Sequence, residues 1–242
     1  MTAEQAAPPP IGSEVPELKF KDIRYLTRSL KDLGEKKAIV LVFSNTTCPI
    51  AQKYWPKLKR LEAEYREKGV QFVGVNVSGD DELQEIAQQG IDFGIEFPLV
   101  KDMDGSCVKA TGVTRTPEVV VLDAKRKLRY RGRIDDQVRI GGTRPDVQSD
   151  DLKQAIDDLL AGRDVATPET TVDGCKITPY EPAPLPKEPV TFYEQVAPLL
   201  QKHCQECHHS GGQAPFGLVS LKEVSSHAEM IAEVALDRRM PP

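Results

Sequence analysis

The run of six apolar residues at 38–43 (Ala-Ile-Val-Leu-Val-Phe) sets strong limits on the fold of this chain. A strand of this composition buries both of its faces, so it must lie inside a sheet that is covered on each side. The pattern that follows alternates between apolar strands and amphipathic helices, which predicts an α/β domain with a mixed central sheet flanked by helices. The predicted helices are 48–69, 81–93, 108–111 and 151–160, and the further predicted strands are 70–77, 97–100, 118–122 and 128–134.

Cys48 lies where the predicted strand 38–43 joins the first predicted helix. Its sulfur would sit at a helix N-terminus, where free amides and the helix dipole lower the pKa of a thiol. We predict that Cys48 is a catalytic nucleophile, with Thr47 beside it in the same site; an inert buried cysteine is the alternative. A cis Thr116-Pro117 bond would place backbone beside the Cys48 sulfur, whereas a trans proline would be an ordinary strand start.

These features resemble the thioredoxin superfamily, and within it the redoxin or peroxiredoxin-like branch that includes alkyl hydroperoxide reductase and thiol-specific antioxidant proteins. The resemblance covers about residues 15–165. It rests on Cys48-Pro49 at the helix start, Pro56 within the helix, the Asp104-Gly105 turn, and Thr116-Pro117 before residues 119–123. It implies a thioredoxin-like fold and an oxidoreductase that performs thiol-disulfide or weak peroxide chemistry at Cys48. The implied substrate is a protein or small-molecule disulfide or peroxide.

Three positions bear on how closely the chain follows that family. Ala51 stands where a thioredoxin has its second cysteine, so a local dithiol cannot form. Asn45 stands where peroxiredoxins have the threonine that orients the peroxide, which weighs against efficient peroxidase activity. Arg115 is a candidate guanidinium for lowering the thiol pKa, although an exposed loop arginine is the simpler interpretation.

A single nucleophilic cysteine needs a second thiol if it is to cycle through a disulfide. The candidates are Cys107, which begins a short predicted helix, and Cys175, which lies on an extended segment beyond the last helix of the domain. The spacing leaves this choice open, and both cysteines could also be structural. Some redoxin relatives have a similar Gly-Cys-x-Ile sequence after the domain, and this resemblance favours Cys175 as the partner of Cys48.

Cys204, Cys207 and His208 form the sequence Cys-x-x-Cys-His. Two thiols at this spacing can form thioethers with both vinyl groups of one haem, and the adjacent imidazole then reaches the iron. A zinc site is the alternative, since His203 lies beside the motif, but no second Cys-x-x-Cys or His-x-x-x-His half is present. The motif therefore predicts haem c, with Cys204 and Cys207 bonded to the haem and His208 bound to its iron.

Residues 189–242 as a whole resemble small cytochromes c, in which a helix leads into the haem motif and a Met-Pro element covers the other haem face. The resemblance implies a small all-α segment after the α/β domain, with Met240 as the sixth ligand of the iron. His227 and His209 are the rivals for that position.

Four segments are expected: a disordered tail (1–14), the redoxin domain (15–165), a proline-rich linker (166–188) and the haem segment (189–242). The net charge of −5 and the lack of basic runs with interleaved aromatics predict no nucleic-acid partner. No apolar stretch is long enough to span a membrane, and the first residues do not form a signal peptide. Because haem c is attached outside the cytoplasm, we expect an exported, periplasmic protein that has lost a leader or anchor and belongs to a longer polypeptide.

Three functions compete. The first is an exported oxidoreductase in which Cys48 performs thiol chemistry and haem c relays electrons to a partner protein or downstream domain. The second is an electron-transfer module whose redoxin fold is a non-catalytic scaffold that feeds a downstream domain similar to copper monooxygenases. The third, a copper chaperone of this fold, would need Cys-x-x-x-Cys and a distant histidine. Gln52 occupies the fourth position after Cys48 and the first histidine is His203, so we discount the third.

Overall fold

The computed structural model describes residues 7–178, 186–237 and 239–240. The chain divides into two compact units, residues 1–181 and 182–242. The strands described in the first unit are β1 (Lys19–Asp22), β2 (Thr27–Ser29), β3 (Ala38–Ser44), β4 (Val70–Asn76), β5 (Leu99–Lys101), β6 (Arg115–Thr116), β7 (Glu118–Asp123), β8 (Leu128–Gly132), β9 (Val138–Arg139), β10 (Gly142–Thr143) and β11 (Cys175–Lys176). Its helices are a 3-10 turn (Leu30–Leu33), α1 (Pro49–Arg66), α2 (Leu83–Phe93), α3 (Ser106–Thr111) and α4 (Asp151–Leu160).

A seven-stranded mixed sheet forms the middle of the first unit, in the order β2-β1-β5-β4-β3-β7-β8. The central strand β3 pairs in parallel with β4 and antiparallel with β7, and β4 pairs in parallel with β5. Two smaller pairs lie outside this sheet, β9 with β10 and β6 with β11. The predicted mixed central sheet with flanking helices is therefore confirmed.

The apolar strand β3 is buried along its whole length, as its sequence predicts. Val40 and Val42 point into a first apolar cluster that also contains side chains of α1, α2 and α4. Leu41 and Phe43 point into a second cluster on the opposite face, to which α3 and the segment before β1 contribute. Because successive strand residues point to opposite faces, one apolar strand anchors both clusters. The loop that leads from β3 to Cys48 therefore begins at a strand that is fixed by tight packing on both faces.

The predicted disorder of the N-terminal tail is wrong for residues 12–14, which lie along the start of β8. The Gly12 N–H donates to the Leu128 carbonyl (2.7 Å), and the Leu128 N–H donates to the Ser13 carbonyl (2.9 Å). Glu14 forms an isolated bridge with Lys127. The edge strand β8 has backbone N–H and C=O groups that no other strand of the sheet binds, and residues 12–14 bind some of them. The composition of the tail does not predict this pairing. Residues 1–6 of the predicted tail lie outside the described part.

The predicted linker also begins too early, because its first part packs on the domain. The Arg131 N–H donates to the Pro168 carbonyl (3.0 Å), and the Thr170 N–H donates to the Arg131 carbonyl (3.2 Å). The hydroxyls of Tyr130 and Thr170 lie 2.7 Å apart. Proline content and lack of periodicity indicate an extended segment, but they do not show whether another strand binds it. Residues 179–185 of the predicted linker lie outside the described residues.

The second unit contains a π-helical turn (Phe192–Val196), α5 (Ala197–His203), α6 (Leu221–Ser226) and α7 (Ala228–Leu236). Helix α5 leads directly into Cys204, as expected. Helix α6 starts with a capping box at Ser220, and His227 separates it from α7. Within the described residues, none of the helices in either unit is both long and apolar enough to cross a membrane.

Candidate functional site

Cys48 lies between β3 and α1 and is only 1% exposed. It is the N-cap residue of α1, and Pro49 occupies the first helical position. The Cys48 N–H donates to Oδ1 of Asn45 (2.7 Å), which fixes the turn into the helix. The sulfur therefore lies at a helix N-terminus, where free amides and the dipole favour a thiolate. Thr47, which was predicted to lie in the same site, is exposed.

The Thr116-Pro117 bond is cis, which is the first of the two alternatives that the sequence left open. The Cys48 thiol donates a hydrogen bond to the Thr116 carbonyl (3.1 Å). Glu118 stabilises the segment before the cis proline. Its buried carboxylate accepts hydrogen bonds from the backbone N–H groups of Thr114 (2.8 Å) and Arg115 (3.0 Å). Glu118 was not identified from the sequence, although an acidic residue at the start of an otherwise apolar strand indicates buried partners.

Cys175 lies on β11, which pairs antiparallel with β6 so that Cys175 is opposite Thr116. The Cys175 Sγ lies 2.9 Å from the Cys48 Sγ. Since a disulfide bond is about 2.05 Å long, a small side-chain movement brings these sulfurs to bonding distance. The other candidate, Cys107, is buried in the second cluster, where its sulfur lies 3.8 Å from the Lys19 carbonyl. Of the two candidate partners, the structure brings Cys175 to Cys48.

Residues 173–177, here called the strap, hold Cys175 in this position. The Ile177 N–H donates to the Thr114 carbonyl (2.9 Å), and the Ile177 side chain is buried in the second cluster. Arg115 donates from Nη1 to the Gly174 carbonyl (2.8 Å), so it is not the exposed loop arginine that the sequence favoured. A Cβ at Gly174 would collide with the Thr116 carbonyl oxygen and come within 2.9 Å of its carbonyl carbon. Glycine therefore permits the close approach of the strap to β6.

The two thiols of this pair have different pKa values. Burial raises the pKa of Cys48. Hydrogen bonds from the Cys175 thiol and the Ala51 backbone amide lower this pKa by more than burial raises it, so the Cys48 pKa lies below its ordinary value. Burial and the adjacent Cys48 sulfur raise the pKa of Cys175. Since the Cys48 pKa is lowered and the Cys175 pKa is raised, Cys48 is the thiol of the pair that loses its proton first.

Asp81 supports the Cys48 loop and was not identified from the sequence. It is 3% exposed and accepts hydrogen bonds from the Thr46 N–H (2.6 Å) and from Nδ2 of Asn76 (2.6 Å). These bonds join the loop to the end of β4. Burial raises the pKa of Asp81, but the bonds from Asn76 and Thr46 lower it below the ordinary value. Asp81 was included in the predicted helix 81–93, whereas α2 begins at Leu83.

Asp81→Ala is expected to lower the free energy of unfolding by about 2–4 kcal/mol, because two donors lose their buried acceptor. The pKa of folded Asp81 is depressed, so its stabilisation is complete above the unfolded pKa of about 4 and is lost as pH falls through the folded pKa. The stability difference from wild type should therefore be constant above about pH 5 and shrink below about pH 4. Denaturant unfolding at several pH values measures this, with exposed Asp80→Ala as the control. A difference that persists unchanged in acid would contradict this role.

The predicted haem ligands lie together in the second unit. The N–H groups of Cys207 (3.2 Å) and His208 (2.9 Å) both donate to the Cys204 carbonyl, so the three residues share one turn after α5. All three are half-buried. The His208 Nδ1 lies 3.1 Å from the Phe216 carbonyl, which orients the ring and leaves Nε2 available for a metal.

The candidate sixth ligands differ in their surroundings. Met240 is 46% exposed. The His227 ring stacks on the Phe216 ring with a centroid distance of 4.0 Å, and the His209 Nδ1 lies 2.9 Å from the Gln205 carbonyl. The choice among them stays a prediction. No three His, Cys, Asp or Glu side chains gather into a metal-binding group anywhere in the part of the chain that the structure describes.

The mixed sheet, the cysteine at the start of α1 and the cis proline beside it define a thioredoxin-like domain. Residues 11–131 match the AhpC/TSA family, and the chain belongs to that family. The match ends before α4, the strap and the second unit. It therefore covers Cys48 and Pro117 but not Cys175 or the Cys-x-x-Cys-His motif.

Curated relatives include proteins named thiol-disulfide oxidoreductase ResA. The one from Halalkalibacterium halodurans is 27% identical over 113 residues, which are 46% of this chain and 62% of that protein. The one from Oceanobacillus iheyensis is 33% identical over 100 residues, which are 39% of this chain and 50% of that protein. The chain thus spans between half and two thirds of the length of these relatives.

Solved structures with the same fold include a hypothetical protein from Sinorhizobium meliloti 1021, which is 26% identical with a TM-score of 0.64 over 71% of this chain and 95% of that chain. An uncharacterized conserved protein from Geobacillus kaustophilus is 27% identical with a TM-score of 0.63 over 72% and 94% of the two chains. A putative thiol:disulfide interchange protein DsbE from Chlorobium tepidum, 22% identical with a TM-score of 0.51 over 62% and 98%, shows the fold alone. These structures confirm the thioredoxin-like fold.

Proposed function

We propose that the first unit is a thiol-disulfide oxidoreductase in which Cys48 and Cys175 alternate between two thiols and one disulfide. The observation that carries this proposal is the 2.9 Å distance between the two sulfurs, at the helix N-terminus and beside the cis proline. The names of the ResA relatives support the same class of reaction. When the pair closes, the two thiols lose two electrons and two protons to a substrate disulfide, which becomes two thiols.

The redox state of the pair can be measured directly. We expect that incubating the full-length reduced protein with glutathione disulfide produces one Cys48–Cys175 disulfide, seen as a linked pair of peptides after digestion without reductant. Cys107→Ala is the control and should give the same linked peptides. Absence of the Cys48–Cys175 link, or a disulfide that joins either of these cysteines to another one, would refute the proposal.

We also propose that the second unit carries haem c, bonded through Cys204 and Cys207, with Nε2 of His208 on the iron. The contact of His208 Nδ1 with the Phe216 carbonyl supports this, because iron-bound histidines commonly use the other ring nitrogen in such a contact. The buried apolar residues described in this unit are only Leu200, Leu218 and Val224, so a covalent haem would enlarge a small core. Bound haem would supply one-electron transfer. Met240 is the proposed sixth ligand.

The haem proposal predicts a covalent mass change. We expect the chain, exported through a c-type maturation system, to gain the mass of one haem and to show a low-spin spectrum when reduced. The double variant Cys204→Ala/Cys207→Ala should gain no haem, whereas exposed His203→Ala should gain it normally. Met240→Ala should change the spectrum without loss of covalent haem, and His227→Ala should leave it unchanged. A wild-type chain without added mass would refute this assignment.

We infer an exported, periplasmic location, because covalent haem attachment and a stable disulfide both require an environment outside the cytoplasm. The partner of the first unit would be a small molecule or protein that carries a thiol or disulfide. The partner of the haem would be a one-electron donor or acceptor, such as a redox protein or a further domain. Fractionation of cells that produce the natural polypeptide tests the location.

A further inference from the structure

The two sulfurs of the proposed pair differ in access to solvent. Cys48 is 1% exposed, whereas Cys175 is half-buried. We propose that a substrate thiol enters the Cys48–Cys175 disulfide at Cys175, so that the mixed disulfide forms on the strap and not at the start of α1. This inference rests on the oxidoreductase function proposed above.

The strap produces this difference because it covers the edge of β6. Cys175 is paired with Thr116, and the strap is held on either side of it by the Arg115 contact with Gly174 and by the Ile177 amide. The Cys48 sulfur is enclosed between the Thr116 carbonyl and the Cys175 sulfur, at 3.1 Å and 2.9 Å. A nucleophile must approach a disulfide along the line of the bond that breaks. Cys48 is 1% exposed and Cys175 is half-buried, so an incoming thiol reaches the Cys175 sulfur more readily than the Cys48 sulfur.

The chemistry of the two thiols favours the same direction of attack. A substrate thiolate bonds to the Cys175 sulfur, the Cys48–Cys175 bond breaks, and its electron pair leaves on Cys48 as a thiolate. The hydrogen bonds that lower the Cys48 pKa make it the better leaving group, and Cys175 with its raised pKa would be the poorer one. A second substrate thiolate then attacks the bound substrate sulfur, which completes the substrate disulfide. The electron pair goes to Cys175, which takes a proton from water.

This order differs from the one that the sequence predicts, in which Cys48 reacts with substrate and Cys175 resolves the product. The position of Cys48 at a helix N-terminus explains its low pKa but does not ensure access. In this proposal Cys48 is the thiol with the low pKa, whereas Cys175 on the strap forms the bond with the substrate.

The test identifies which sulfur receives the substrate. The full-length oxidised protein is mixed with reduced glutathione, quenched in acid at short times, alkylated with N-ethylmaleimide and digested for mass spectrometry. We expect glutathione on Cys175 and alkylation of Cys48, at least about tenfold more abundant than the reverse, because the exposed sulfur and the better leaving group act together. Cys107 and thiols of the second unit are distinguished by their own peptides.

In a second measurement glutathione cannot move from one cysteine of the pair to the other. Oxidised glutathione is added to the separate variants Cys48→Ala and Cys175→Ala, each with one cysteine of the pair. With each rate corrected for the fraction of that thiol present as thiolate, the Cys48→Ala variant should form its mixed disulfide with glutathione faster than Cys175→Ala, by at least about tenfold, because its cysteine is more exposed. Glutathione mainly on Cys48 in the first experiment, or faster reaction of Cys175→Ala in the second, overturns this inference alone. A starting protein without the Cys48–Cys175 disulfide overturns both this inference and the proposed function.

Discussion

Cys48→Ala is expected to lower the catalysed exchange between glutathione disulfide and a peptide dithiol by on the order of 10³-fold or more, because the thiolate of the reactive pair is lost. The assay is the rate of peptide oxidation per mole of full-length protein, corrected for the uncatalysed reaction. Cys175→Ala should be similarly impaired, since the remaining Cys48 thiol can no longer form the internal disulfide. The two losses should not add in the double variant, because the cysteines act as one unit.

Cys107→Ala is the matched control, because Cys107 is also a buried cysteine of the same unit but lies in the second cluster. We expect its activity to stay within about twofold of wild type, since it does not contact the pair and distant changes rarely alter chemistry. If Cys48→Ala keeps the activity of the wild type, the redoxin fold is a scaffold and the electron-transfer alternative becomes the better description of this chain.

Gly174→Ala is expected to slow formation of the Cys48–Cys175 disulfide by about 10²-fold, because a misplacement of about 1 Å can reduce an intramolecular reaction by this factor. The added Cβ would collide with backbone atoms of Thr116, which cannot move as a flexible side chain can. The strap must therefore shift away from β6, and Cys175 shifts with it. The rate at which glutathione disulfide converts the reduced protein to the internal disulfide measures this effect.

Gly142→Ala is the control for Gly174→Ala. Gly142 lies in the exposed strand β10, and a Cβ there would have no neighbour within 4 Å among the residues that the structure describes. This variant should close its disulfide at the wild-type rate. Equal rates for all three proteins would show that the position of the strap does not control the pairing of the cysteines.

The sequence predicted the elements whose signal is local. Residues 38–43 are apolar without interruption because β3 is buried on both faces, and α1 begins at Pro49 directly after the predicted cysteine. The position of Thr116-Pro117 before an apolar strand was also recognised, with cis and trans left open, and the bond is cis. In each case the residues that define the element are neighbours in the chain, so a short window contains the physical cause.

The predictions that were wrong concern segments whose order depends on a distant strand. Residues 12–14 and 168–170 have the composition of a tail and a linker, yet both donate or accept backbone hydrogen bonds at β8. Arg115 has the sequence context of a loop arginine, yet it binds the Gly174 carbonyl. Backbone groups at a strand edge bind almost any extended segment, so composition alone carries little information about this pairing.

The sequence by itself therefore contains the evidence for the α/β elements, for a cysteine at the start of α1 and for the Cys-x-x-Cys-His motif, since each depends on residues within one turn, one helix or one strand. The partner of Cys48 is different, because Cys175 is 127 positions away and reaches it only through the pairing of β11 with β6. Spacing left that choice open because the entropy of closing a long chain segment changes slowly with its length, and so hardly distinguishes one distant cysteine from another. The difference in exposure between the two cysteines likewise exists only in the folded protein, where Cys48 is 1% exposed and Cys175 is half-buried.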